Sequence, residues 1–155
     1  MKTRWIIIRH DIPRIMEIER ATFDYPLSAV EVADLLRSKN TLGILCEEGD
    51  EILGYAIYDI FHDHIDLLTI AVDFKHRRCG VGSRLLDRLC VFKRNPLSGR
   101  RREYVSVMVR ETNMGALLFF KDYGFKAIEL KRSPYSETNE DGIVMEFREP
   151  VLVEV

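Results

Sequence analysis

The sequence predicts a mixed α/β fold, a single mostly antiparallel central sheet flanked by about four helices. Three observations predict it. Apolar periodicity places the elements in the order β, α, α, three strands, α, β, α, β, β. That order fits one parallel crossover near the centre of a sheet whose other neighbours are antiparallel. The chain has 155 residues, enough for one domain, 1–155, to bury its own core without metal or disulfide help.

Each element has a local reason. "WIIIRH" (5–10) reads as the first strand. Asp11 then serves as an N-cap, Pro13 falls inside the first turn, and Ile15, Ile18 and Ala21 recur at helical spacing. Glu17 and Glu19 ride on this helix, and Glu19, further from the apolar stripe, reads as a surface residue. "DYPLS" (24–28) is a turn, and Ser28 with Glu31 three residues on forms a capping box that opens a second helix. "TLGILCEE" and "EILGYAIYDIFH" are strands joined by a hairpin through "EGDE", and "HIDLLTIAVD" (64–73) is a third. In "VGSRLLDRLCVFKR", Val81, Leu85, Leu86, Leu89 and Phe92 make one buried helical stripe that "NPLSG" ends. "EYVSVMVR" (103–110) alternates as a strand, "NMGALLFFKDYGF" is a short helix closed by Gly124, and "KAIEL" and "GIVMEF" form a last strand pair.

Composition narrows the class. Lys and Arg number 23 against 25 Asp and Glu, a net charge of −2. This balance argues against a protein that coats nucleic acid, while allowing a local basic patch. Cys46, Cys79 and Cys90 are odd in number and lack metal-ligand or disulfide spacing, so reduced thiols in a cytoplasmic setting are expected. "WIII" is too short for a signal peptide or a membrane span. The strongest basic cluster, "FKRNPLSGRRR" (92–102), reads as a solvated loop or, alternatively, as a surface for RNA or an acidic partner; no aromatic stacking platform accompanies it.

"HRRCGVGSRLL" (76–86) gathers arginines and glycines at a strand-to-helix junction. It lacks the Gly-Lys-Ser/Thr end of a Walker A loop, and Leu85 stands where a dinucleotide fingerprint needs its third glycine. As an anion cradle it makes physical sense: glycines admit a phosphate to the backbone N–H groups, the helix N-terminus adds a positive dipole end, and Arg77 and Arg78 add charge-assisted hydrogen bonds. An ordinary tight turn is the alternative.

"TIAVDFKHRRCGVGSRLLDRL" resembles the central motif of the GCN5-related N-acetyltransferase (GNAT) superfamily, Gln/Arg-x-x-Gly-x-Gly/Ala, with Arg77, Gly80 and Gly82 at its fixed positions. "RETNMGALLFFKDYGF" (110–125) is similar to the second family motif, and the element order is the family's. The resemblance covers nearly the whole chain. It implies a site for acetyl-CoA as co-substrate, with no metal. The pyrophosphate would lie on Arg77, Arg78, Cys79, Gly80, Val81, Gly82 and Ser83. Backbone groups of Ile70 and Val72 would pair with the pantetheine, and an N–H near Ala71 would hold the thioester carbonyl where negative charge develops. Asn113 and Phe120 fill family positions that meet the cofactor.

Within the superfamily the chain looks most like the RimI-type enzymes, which acetylate protein N-termini. "IMEIERATFDYPLS", "VMVRETN" and "SPYSETNEDGIVME" carry this closer match, and it implies that Tyr25 and Tyr135 flank the substrate. Loop tyrosines are also common without function. The departures are two: Met108 stands where RimI-type enzymes place their proton-accepting Glu, and Phe120 where they place their proton-donating Tyr. Asp66 aligns with the general-base Glu of the histone-lysine branch and can take the amine proton through a water, unless it is a plain solvent-facing aspartate. His64, beside His62, has the right chemistry for a proton relay. Tyr123 supplies the missing phenol only if the helix register differs from this alignment. A protein α-amine near pKa ~8 is partly neutral at physiological pH, whereas lysine near ~10.4 is not. The expected reaction is therefore acetyl transfer to a primary amine, foremost an N-terminal α-amine. A small-molecule amine as acceptor, or a non-catalytic acyl-CoA-binding module, stands as the alternative.

Overall fold

The computed structural model describes residues 1–93 and 102–148, with the side chains of residues 92 and 93 left aside. Seven strands neighbour one another in the order β1-β2-β3-β4-β5-β7-β6. The described chain forms two compact units, the first from Met1–Ile60 and Leu67–Phe92, the second from Phe61–Asp66 and the chain from Lys93 on. Strand β4 (His64–Val72) contributes to both. The basic loop of residues 94–101 lies outside the described residues. No helix among the described residues is long and apolar enough to cross a membrane.

In the first unit β1 (Lys2–Trp5), β2 (Thr41–Glu48) and β3 (Glu51–Ile60) pair antiparallel, with Glu48 opposite Glu51 at a hairpin in which Gly49 adopts φ +61°. Helix α1 runs Ile8–Thr22 and α2 runs Ala29–Arg37, the latter opened by the expected Ser28–Glu31 capping box. Their apolar faces join the sheet in a core centred on Ile15, Ile18, Val32, Leu45, Tyr55 and Ile57. Helix α3 (Val81–Lys93) buries Val81, Leu85, Leu86 and Leu89 as its periodicity requires.

The N-terminus departs from expectation. The first strand ends at Trp5, and Ile8 to His10 already belong to α1, so Asp11 is a first-turn residue and not the N-cap, and Pro13 falls beyond the first turn. The cause is a buried carboxylate. Asp11 accepts the Ile7 N–H at 2.7 Å and a forked pair of bonds from Arg4 at 2.8 and 2.9 Å. Arg4 Nε also reaches Glu47 at 3.1 Å, so one guanidinium ties β1, β2 and α1 together.

The second unit pairs β5 (Tyr104–Arg110) with β7 (Gly142–Phe147), and β7 with β6 (Lys126–Lys131), both antiparallel. Contacts between residues 61 and 102, 63 and 103, and 66 and 106 advance in the same direction, so the start of β4 runs parallel to β5, the expected crossover. Helix α4 (Met114–Tyr123) is capped by the Asn113 side chain at 3.1 Å from the Ala116 N–H, and it ends at Gly124 with φ +123°.

Burial pushes the Asp11 carboxyl up, but the hydrogen bonds from Arg4, the Ile7 N–H and His10 outweigh it and hold the group at about 2 against an ordinary 3.8. A depressed carboxyl contributes stability above its unfolded value and loses it as pH falls through its folded one. Acid unfolding followed by circular dichroism should therefore steepen between pH 3.8 and about 2. Asp11→Asn should flatten that limb and cost about 2 kcal/mol at neutral pH.

Candidate active site

The strand-to-helix junction of the first unit is built for close backbone approach. A Cβ on Gly54 of β3 would meet the Ala71 carbonyl at 2.8 Å and Val81 Cγ1 at 3.0 Å, so glycine is what lets β3, β4 and the start of α3 meet. Ala71 is buried, while Ile70 and Val72 are half-buried on either side of it. After a 3-10 turn over Phe74–His76, Arg77 Nε bonds the Val72 carbonyl at 3.3 Å. Arg78 and Gly80 both take left-handed conformations, φ +62° and +82°, on either side of the exposed Cys79. A Cβ on Gly80 would meet no protein atom within 4 Å, so its φ and not packing calls for glycine. Arg78 takes its left-handed conformation without glycine's freedom. Alternating backbone of this kind turns successive N–H groups toward one point, and the first N–H groups of α3 at Val81, Gly82 and Ser83 have no partner within the helix.

Asp73 braces the turn. Its carboxylate takes Arg14 of α1 at 3.0 Å and His76 Nδ1 at 3.0 Å. Burial pushes this carboxyl up, yet the His76 bond and the Arg14 charge carry it below the usual range. With Glu51, Asp73 and His76 form a group whose ligand atoms lie within 4.8 Å of one another. Arg14 already pairs with Asp73 of that group, which suits a brace better than a cation site. From Gly80 a groove of about 440 Å³ follows α3 past Ser83, Arg84 and Arg88, with Thr3 of β1 on its other wall. Arg84 and Arg88, one helical turn apart, line this groove beyond the expected phosphate-binding residues 77–83; their i, i+4 spacing is the signal that puts both on one helix face.

Glu19 corrects an expectation. It is 2% exposed, not a surface residue, and accepts the Tyr55 hydroxyl at 2.7 Å and the Leu27 N–H. Desolvation raises its carboxyl, and these two bonds only partly offset the rise. Tyr55 also bonds Thr69 of β4. The end of α1, the Tyr25 turn and β4 thus share one buried network, with Tyr25 itself half exposed. Glu17, by contrast, is exposed and pairs with Arg14 at 3.1 Å.

In the second unit the alternation of β5 sorts the candidates. Val105, Val107 and Val109 are buried on one face; Tyr104, Ser106, Met108 and Arg110 occupy the other. Asp66 joins the latter face, accepting Ser106 Oγ at 2.9 Å and lying 3.3 Å from His64 Nε2. Its side chain is 37% exposed, so it stands partly in solvent. Met108, at the replaced Glu position, lies one residue pair from Ser106, about 7 Å along the strand. Met108 packs near Gly142, where an added Cβ would meet its Sδ at 2.9 Å and Pro134 at 3.0 Å. The guanidinium of Arg110 stacks 3.8 Å above the Tyr135 ring and bonds Glu140 at 2.9 Å and Glu137 at 3.2 Å. Burial raises the Tyr135 phenol, against the Arg110 charge.

Two aromatic candidates fall on the other face. On α4, Phe120 is 3% exposed and packs edge-on against Phe125. It stands as a packing residue. Tyr123 lies 5.2 Å from Phe147, which pairs with Val105, on the side of β5 opposite Asp66. Tyr123 therefore does not share the face that bears Asp66. Asn113 places its Oδ1 on the α4 cap, leaving its amide nitrogen for any ligand.

Comparison with known proteins agrees with this geometry. The model of the Acetyltransferase (GNAT) family matches residues 12–125. The chain belongs to this family. As a GNAT protein it is an acetyl-CoA-dependent N-acetyltransferase. It is similar to the [Ribosomal protein bS18]-alanine N-acetyltransferase of Escherichia coli strain K12, 27% identical over 137 residues, 87% of this chain and 89% of that one. The crystal structure of the ribosomal-protein-S18-alanine N-acetyltransferase from Escherichia coli superposes with a TM-score of 0.80 at 23% identity, covering 99% of each chain. Arabidopsis thaliana NAA60 in complex with acetyl-CoA gives 0.77 at 16% identity, covering 95% of this chain and 97% of that one. The last two show the GNAT fold, and their likeness spans nearly all of both molecules.

Two substitutions check the site's construction. Tyr55→Phe should cost about 1–3 kcal/mol in urea unfolding, because it leaves the buried Glu19 without its hydroxyl donor. Gly80→Ala should weaken acetyl-CoA binding in calorimetry and cost about 1–2 kcal/mol of stability, since L residues resist φ +82°.

Proposed function

We propose that this GNAT protein transfers the acetyl group of acetyl-CoA to the α-amine at a protein N-terminus. The observation that carries the reading is the Arg110-braced loop over β5. Ion pairs to Glu137 and Glu140 and a stack on Tyr135 hold residues 135–140 as an ordered rim beside the face that bears Asp66. Pro134 and Met108 make the floor of that rim apolar, suited to an extended peptide backbone more than to a polycation. The 27% identity to a ribosomal-protein alanine acetyltransferase supports the same acceptor class. The reading treats the chain as a single catalytic domain, the family match running through both units.

The coenzyme would lie on the first unit. The fit rests on the left-handed turn at Arg78 and Gly80 and on the open approach to Gly80. N–H groups from Arg77 through Ser83 would take the pyrophosphate, with Arg84 and Arg88 adding positive charge along the groove. Main-chain groups of Ile70 and Val72 would align the pantetheine, and a hydrogen bond near Ala71 would polarise the thioester carbonyl. The Asn113 amide would contribute from α4. Tyr25 and Tyr135 would contact the acceptor backbone.

Asp66 is the base in this scheme. Met108 cannot accept a proton, and the carboxylate of Asp66 is on the same β5-facing surface, held in place by Ser106. Abstraction through a water leaves a neutral amine to attack the thioester. The enzyme would work in the cytoplasm, where its thiols stay reduced.

Thiol release from acetyl-CoA tests this directly, with N-terminal peptides, N-blocked lysine peptides and small amines as acceptors. Turnover should be confined to free N-termini. Asp66→Asn should lower kcat by about 100-fold while leaving the KM for acetyl-CoA unchanged. Preference for small amines would move the acceptor class. Acetyl-CoA binding with every amine inert would make the protein a binding module.

A further inference from the structure

The reaction has a stoichiometry that a single base does not complete. An acceptor arriving as R–NH3⁺ forms the N–C bond as the C–S bond breaks, and it loses two protons on becoming an amide. One ends on the coenzyme thiol; the other must leave for solvent before Asp66 can serve again. The structure places a second proton carrier against Asp66.

His64 lies on β4 two residues before Asp66, on the same face. Its Nε2 is 3.3 Å from Asp66 Oδ1, and its Nδ1 is 2.7 Å from Asp63 Oδ1. The ring is stacked between Phe61 at 4.7 Å and Tyr104 at 4.9 Å, nearly parallel to both, so it cannot swing out of this line. Asp63 is the most exposed of the three side chains, 47% against 20% for His64 and 37% for Asp66. The bond from His64 draws the Asp63 carboxyl below its usual range, so Asp63 stays ionised beside the ring. An ionised Asp63 accepting from Nδ1–H selects the tautomer whose Nε2 lone pair faces Asp66.

We infer that Asp63, His64 and Asp66 form a proton-exit relay in which His64 takes the proton from Asp66 and Asp63 positions the ring. The inference rests on Asp66 being the base. In each cycle the proton taken from the amine passes from Asp66 Oδ1 to His64 Nε2. The imidazolium, held by Nδ1–H on Asp63, then releases the Nε2 proton to water at the partly exposed edge beside Asp66, so that Asp66 is again a carboxylate and the ring again turns its Nε2 lone pair toward it. Asp63 is a positioning residue. The charged or titratable groups around the relay among the described residues include His62 on the preceding turn, 4.0 Å from Asp63, Arg102, whose Nε donates to the Phe61 carbonyl at 2.8 Å, and Tyr104 on β5. Arg148 stacks on Tyr104 at 4.5 Å and pairs with Glu103 and Glu146, so its charge is already matched.

The test is steady-state turnover of the best N-terminal peptide by wild type, His64→Gln, Asp63→Asn and Asp66→Asn, across pH and with added imidazole. His64→Gln should lose about tenfold in kcat with both KM values unchanged, and free imidazole should restore most of the loss. Asp63→Asn, which keeps the ring and its stack, should move the acidic limb of kcat/KM to lower pH because the imidazolium loses a stabilising charge. Wild-type kcat in His64→Gln, a loss that imidazole does not restore, or an unmoved limb in Asp63→Asn would overturn the relay while leaving Asp66 as base. Full activity in Asp66→Asn would overturn the base assignment and the relay with it.

Discussion

Helix α1 carries two buried carboxylates, Asp11 near its start and Glu19 two turns later, and an apolar interior tolerates neither without donors. Each therefore dictates where a neighbouring element must be. Asp11 takes the fork of Arg4 and so fixes β1 and, through Glu47, β2. Glu19 takes the Tyr55 hydroxyl from β3 and the Leu27 N–H from the turn beyond α1, and Tyr55 extends the network to Thr69 of β4. Removing one donor would leave a charge or lone pair buried, which costs more than any single apolar contact nearby. The helix cannot slide or rotate without breaking both clusters. The turn that bears Tyr25 and the strand proposed to align the coenzyme inherit their positions from this constraint.

The turn before α3 depends on the same helix. Arg78 takes φ +62°, a left-handed conformation uncommon for a side-chain-bearing residue. Asp73, bonded to Arg14 of α1 and to His76, fixes the chain just upstream, and Gly54 admits β4 and Val81 to β3 at a distance no side chain would allow. An anion cradle made of backbone N–H groups is only as good as the rigidity of its backbone, because free N–H groups would otherwise turn to water. The brace from α1 thus reaches the turn on which the coenzyme is proposed to lie.

The second unit shows how a strand divides labour by alternation. One face of β5 gives three valines to the core; the other gives Ser106, Met108 and Arg110 to the proposed acceptor side. Methionine at the usual proton-acceptor position turns that spot into apolar floor under Pro134. Asp66 and His64, one strand over, bring the carboxylate and imidazole to the same face. Proton transfer needs a group within reach on the correct side of the sheet, not at one particular alignment column.

Much of this was legible without coordinates. Period-2 and period-3.6 patterns placed every strand from β2 onward and all four helices, the Ser28–Glu31 box and Gly124 marked their ends, and the Arg77–Gly80–Gly82 turn was found by its residue types alone. These are short-range matters, decided by backbone sterics and by side chains a turn or less apart. The misreadings share one cause. "WIII" reads as a strand until Asp11, paired to Arg4, pulls Ile8 into a helix. Glu19 reads as surface until Tyr55, 36 residues away, gives it a donor. Tyr123 is separated from Asp66 only by knowing which face of β5 each occupies. By itself the sequence determined the elements from β2 onward, the order of all of them, and the glycine-bearing turn before α3. Only the tertiary structure decided which polar groups are buried and which candidates share a face, because a partner supplied by a distant segment leaves no trace in local periodicity.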